Sequence, residues 1–277
     1  MGNHLVALPY EEENRHHIRS ELGPLFDLAK TAWGLASLFI AEQGKIGVGR
    51  SHYFNWCMAA VFAKQMRLFV ANYRLCEGGL GLEALSLCRA MFETFVNLKA
   101  LSQSNDQEEY ARLWMIWDFA NDERMAHKII DNHPDGKAKL NELGASLAAE
   151  KAKIGENRWK VFVDHGPSQL NLRALCDKIE LTDAYKVFYP LASGAAHGYD
   201  LVSYARPISD DQIQTNLSPT LDFVDTNLAT SIAVVRDTLA ILNHLLSLNK
   251  EKELADLTKV VEAANTFINK RQKGTTV

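Results

Sequence analysis

Apolar residues recur at three- and four-residue spacings along nearly the whole chain, and alternation of the kind a half-buried strand needs is hard to find. The pattern predicts an all-α protein, a multi-helix bundle. A charged first helix is expected over about 10–22, broken by Gly23-Pro24, and a second over about 25–42. After the loop Gln43 to Gly49, a long helix from about His52 to Cys76 should stop at Gly78-Gly79, and the next should run over about 82–101. Ser102 to Asp106 reads as a turn and capping cluster, and a helix over about 108–131 carries Trp114 and Trp117 as core residues.

Asn132 to Gly136 breaks the pattern, a charged Ala/Lys/Glu helix over about 137–154 looks solvated on most sides, and 155–168 reads as loop. Short helices lead to one containing His197, which Arg206-Pro207 closes, and helices over about 221–248 and 250–271 complete the set. The expected organisation is a single helical domain over 1–277, with a core over about 52–248, added N- and C-terminal helices and a charged helical insertion over about 134–168.

Two segments violate this pattern at core positions. Leu85-Ser-Leu-Cys-Arg89-Ala-Met-Phe-Glu93-Thr-Phe-Val96 sets Arg89 and Glu93 one turn apart inside an apolar stripe shared with Leu82, Leu85, Phe92 and Val96. Tyr189-Pro-Leu-Ala-Ser193-Gly-Ala-Ala-His197-Gly-Tyr-Asp200 gives Ser193 and His197 the same spacing among small residues. Burying charge or imidazole is costly unless each group finds a partner, so the two pairs are expected to meet. In a functional site Arg89 would bind an anion or stabilise developing negative charge, with Glu93 orienting it. In a structural one the ion pair would fix helix register and His197 would be a satisfied core histidine. Glycines in a helix cost roughly 1 kcal/mol each relative to Ala, so Gly194 and Gly198 suggest close packing, access to a site or a local break. Ser193 could bond the imidazole or the backbone of Tyr189, and no G-x-S-x-G elbow marks it as a nucleophile.

Composition narrows the chemistry. In 277 residues, 47% are hydrophobic and 23% charged, which is ordinary for a chain that folds. A net charge of −4 gives no overall basic field, so nothing signals DNA, while a local basic cleft stays possible. Cys57, Cys76, Cys88 and Cys176 lie in helical patterns without metal-ligand spacing and read as reduced core thiols of a cytoplasmic protein. No secretory signal is expected at the N-terminus, and Lys64, Arg67, Arg74, Arg89 and Glu93 interrupt the most apolar stretches, so no membrane is expected as a partner. A di-iron bundle needs two Glu-x-x-His elements, and only Glu13-Asn-Arg-His16 fits. Asp118, Asp122, Glu123 and His127 spread around their helix as a solvated face. With no P-loop, dinucleotide fingerprint or zinc spacing, neither a cofactor nor a metal is expected.

Through Ala84-Leu85-Ser-Leu-Cys-Arg89-Ala-Met-Phe-Glu93 and Tyr189-Pro-Leu-Ala-Ser193-Gly-Ala-Ala-His197-Gly, and over about Phe54 to Tyr204, the chain resembles an uncharacterised bacterial helical family, the domain of unknown function numbered five-six-seven-seven. That group is similar to HEPN-like helical domains, several of which are metal-independent ribonucleases of defence and toxin systems with an Arg and a His four to six residues apart on one helix. The resemblance implies a HEPN-like core, an RNA or nucleotide-like ligand, a homo-oligomer, and roles for His197 in proton transfer and Arg89 at the phosphate. No arginine stands four to seven residues before His197, so Arg89 of another helix would have to supply the cation. The competing expectation is a non-catalytic binding or regulatory protein.

Overall fold

A computed structural model of the chain describes residues 11–39, 50–129, 134–196, 205–209, 212–215 and 220–274. The fold is an all-α multi-helix bundle, with helices α1 (Glu11–Ser37), α2 (His52–Glu77), α3 (Gly81–Ser102), α4 (Gln107–Ile129), α5 (Pro134–Ile154), α6 (Glu156–His165), α7 (Leu172–Lys178) and α8 (Thr182–Ala196). A two-stranded antiparallel ribbon, β1 (Ala205–Ser209) and β2 (Gln212–Thr215), precedes α9 (Val224–Leu246) and α10 (Glu251–Gln272). The ribbon was not expected, because strands of five and four residues are too short for alternation to register; its pairing sets Ala205 opposite Thr215 and shifts register after Pro207.

The chain forms two compact units: Met1–Gly44, Phe62–Phe95 and Asp183–Val277 make one, and Lys45–Val61 with Val96–Thr182 the other. In the first, α1 packs on α9 and α10, and α9 on α10. The stripe that drives this on α1 is Ile18, Leu22, Leu25, Ala29, Ala32 and Ala36, all buried at alternating four- and three-residue spacing. The same stripe overturns the expected break at Gly23-Pro24. Pro24 lies exposed inside one continuous α1, so the backbone bond that it forfeits falls on the solvent side. Burial of Leu22, Leu25 and Phe26 at roughly 1.5–3 kcal/mol each outweighs a proline cost of about 3 kcal/mol.

The start of α9 is fastened to the α2–α3 turn. A Cβ on Gly81 would lie 2.1 Å from the Asp222 carbonyl oxygen, so only glycine permits that approach. Thr220 N–H donates to the Gly79 carbonyl at 2.9 Å. Buried Asn227 of α9 donates to the Gly81 carbonyl, while its own carbonyl accepts from Asn72 of α2 at 3.3 Å. Gln65 of α2 likewise donates to the Met91 carbonyl of α3 at 2.9 Å. These buried amides satisfy backbone groups and fix the register of α2, α3 and α9.

In the second unit α4, α5 and α6 pack together around Ile116, Ala120, Leu147 and Phe162. Most of the stretch expected to be loop, 155–168, is the helix α6, bounded by Gly155 and Gly166 at positive φ. Its Trp159 and Phe162 rings lie 5.3 Å apart against the core, and that apolar contact outweighs the polar composition of the segment. Trp117 packs on the same core, where its indole N–H donates to the Val163 carbonyl at 2.9 Å. All four cysteines are free and buried, as expected, and burial pushes the Cys57 thiol up to about 12 and that of Cys176 to about 11. Among the described residues no helix is long and apolar enough to cross a membrane.

Candidate functional site

Of the four residues singled out by pattern, Arg89 and Glu93 are carried by α3 and Ser193 by α8, all three in the first unit. Leu85, Cys88, Met91 and Phe92 bury one side of α3, and Ala192 is buried on α8. The Phe92 and Phe188 rings, 5.8 Å apart, join the two helices beside the polar residues. Arg89 and Glu93 are thereby held at the edge of the packed core, with side chains 20% and 38% exposed.

Arg89 organises the cluster. Its Nε donates to Glu93 Oε1 at 2.8 Å, Nη1 to Ser193 Oγ at 3.3 Å and Nη2 to the Tyr189 hydroxyl at 2.8 Å. The Tyr189 hydroxyl in turn donates to Glu93 Oε1 at 3.2 Å, and the guanidinium lies 4.8 Å from the centre of the Tyr189 ring. Tyr185 stacks on the Tyr189 ring at 4.8 Å and 18°. Partial burial works against the Arg89 charge, but the hydrogen bond and charge of Glu93 prevail and hold its pKa above the ordinary value. Burial, joined by the charge of Glu93, raises the Tyr189 phenol, which stays protonated and able to donate at neutral pH.

The structure therefore brings Arg89, Glu93 and Ser193 together. His197 lies outside the described residues, four positions beyond Ser193 in the chain. Pattern reading missed the phenol of Tyr189 as a member of the cluster. Its signal was present, one helical turn before Ser193, but an aromatic at that spacing reads as core. Chemically the cluster is a permanent cation on an aromatic face, oriented by a carboxylate and bordered by two hydroxyls, which suits recognition of a planar or tetrahedral oxyanion. Among the described residues no three His, Cys, Asp or Glu side chains are grouped to hold a metal ion.

A second arginine cluster of the same unit was not foreseen. Arg19 of α1 donates to the Tyr73 hydroxyl at 2.9 Å and to Glu77, both on α2, and lies 4.8 Å from the Phe26 ring centre. Glu77 also accepts from Arg74 at 2.9 Å. Separations of 54 and 58 residues hide this group from any local pattern.

The model of a family of unknown function, DUF5677, matches residues 55–213, a span that contains α3, α8 and the whole Arg89 cluster. The chain belongs to that family. The DUF5677 match takes in none of α1, α9 and α10, so the three helices that pack together in the first unit lie outside the shared segment. No curated protein and no solved structure matches the chain.

Proposed function

We infer that this DUF5677 protein has a HEPN-like core and acts, without metal, on RNA or a nucleotide-like anion at the Arg89 cluster, as a cytoplasmic ribonuclease or nucleotide-acting protein of phage defence. The observation that carries this is the fixed guanidinium: Glu93, Tyr189 and Ser193 orient a cation that remains partly open to solvent. A phosphodiester oxygen placed against Arg89 would be stabilised as charge develops on it in the transition state. His197, four positions beyond Ser193 in the chain, takes the proton-transfer role at the ribose 2′-hydroxyl or at the leaving 5′-oxygen. In that reaction the 2′-oxygen bonds to phosphorus, the phosphorus–5′-oxygen bond breaks, and the proton lost by the first oxygen is matched by one gained at the second. The assembly proposed is a homodimer, and the exposed Val187 and Leu191 of α8, one turn apart, offer apolar surface for it.

A second reading is favoured by a specific feature. Each of the three guanidinium nitrogens already donates to a protein oxygen, as in an element that joins α3 to α8 in a non-catalytic binding or regulatory protein. Incubating purified protein with single-stranded RNA separates the two. Cleavage that disappears in His197→Ala at unchanged thermal stability supports the first, whereas absent cleavage and absent nucleotide binding in wild type leave the second.

A further inference from the structure

Between α1 and α2, on the side marked by Arg19 and Tyr73, lies a partly open groove with a cavity volume of about 360 Å³. That is within the range of small-molecule sites. Its apolar surface comes from Ala29, Phe69 and Val70 and from the rings of Trp33 and Tyr73. Trp33 and Val70 are each 38% exposed, an indole and a valine left in contact with water at the groove. Its charged residues are Arg19, Lys30, Arg74 and Glu77, so three cations face one carboxylate. Burial works against the Glu77 carboxylate, but Arg19 and Arg74 prevail and hold its pKa below the ordinary range. It therefore stays ionised at neutral pH and cancels only one of the three charges. Asp27 approaches Lys30 at 3.4 Å, but both are largely exposed and the pair is weak.

An aromatic wall beside uncompensated positive charge fits one kind of occupant. We propose that this groove binds a small organic anion, a planar ring bearing a carboxylate or a phosphate, with the ring against Trp33 and Tyr73 and the acid toward Lys30 and Arg74. A neutral ring would use the apolar surface alone and leave the cations unmatched. A simple inorganic anion would use the charge and leave the indole in water. The site is made by α1 and α2 and is independent of the activity assigned to the Arg89 cluster.

Titration calorimetry on the full chain with two matched pairs tests the proposal: indole-3-acetate against indole-3-ethanol, and adenosine 5′-monophosphate against adenosine. At least one anion should bind about tenfold more tightly than its neutral partner, and the pair that shows the preference identifies the acid as carboxylate or phosphate. That preference should shrink as salt is raised to about 0.5 M. Lys30 and Arg74 side chains are 56% and 71% exposed, so Lys30→Gln and Arg74→Gln leave the fold intact. Each should weaken the anion by about two- to fivefold and leave the neutral compound unchanged. Trp33→Ala should weaken both members of a pair. Equal affinity within both pairs, no binding of any probe at about 10 mM, or an anion preference that survives the double variant Lys30→Gln/Arg74→Gln would overturn the proposal.

Discussion

Arg89 and Arg19 belong to the same unit and are held by the same partners, a glutamate, a tyrosine hydroxyl and an aromatic face, yet their surroundings differ. Glu93 accepts from Arg89 and from the Tyr189 phenol, whereas Glu77 is shared between Arg19 and Arg74. Around Arg89 the neighbours are Ser193 and the ring of Tyr189; around Arg19 they are the rings of Phe26 and Tyr73 and an open groove. One set of residue types thus gives an anchored cation next to a hydroxyl and, elsewhere, a shared carboxylate beside an apolar wall. What such a cluster can do depends on charge balance and on the space next to it.

Removing each carboxylate is the strongest way to break the comparison. Glu77→Gln should cost about 2 kcal/mol in urea unfolding, because its side chain is only 17% exposed and two arginines lose their partner. Glu93→Gln, at a side chain 38% exposed, should cost about 1 kcal/mol or less. A larger loss at Glu93 than at Glu77 would mean that Arg89 depends on its carboxylate more than Arg19 and Arg74 depend on theirs.

Acid sharpens the same contrast. The folded pKa of Glu77 lies below its ordinary 4.5, so below that value the unfolded chain binds the proton first and stability rises with pH through the window. The contribution is complete above pH 4.5 and is lost as pH falls through the folded value. The acid limb of wild-type stability should therefore be steeper than that of Glu77→Gln, and coincident limbs would remove Glu77 from the acid response.

An effect similar in size to that of Glu93 is expected at Tyr189. Tyr189→Phe keeps the ring under Arg89 and deletes the hydroxyl that bonds Arg89 and Glu93, which should cost about 1 kcal/mol at neutral pH. Because its folded pKa is raised above 10, the phenol contributes stability fully below that value and loses it as pH rises through the folded one. The variant should show less alkaline loss than wild type when unfolding is followed from pH 9 to 11 by circular dichroism; an identical slope would mean that Tyr189 titrates normally.

The two clusters also show what could be read from the chain. Arg89 and Glu93, and then Ser193, stood out because each breaks an apolar stripe within a single helix, where a periodicity argument has purchase. Arg19 comes from α1 and Tyr73 and Glu77 from α2, and each alone is an ordinary polar residue on an amphipathic helix. The helical class and most helix positions followed from spacing. The exceptions were places where tertiary burial outweighed a local signal: Pro24 inside α1, and α6 where glycines and polar residues suggested loop. The β1–β2 ribbon was missed because its pairing is local geometry and leaves little pattern in so few residues.

The central claim, that the Arg89 cluster serves chemistry on an RNA or nucleotide anion, is tested most directly by RNA cleavage measured in parallel with thermal unfolding for wild type, His197→Ala and Arg89→Lys. The account predicts cleavage by wild type without added metal, none by His197→Ala at an unfolding midpoint like that of wild type, and a loss of at least about tenfold in Arg89→Lys, which keeps the charge but not the planar fork. Wild type that leaves RNA intact and binds no nucleotide, with His197→Ala instead unfolding at a lower temperature, would contradict it.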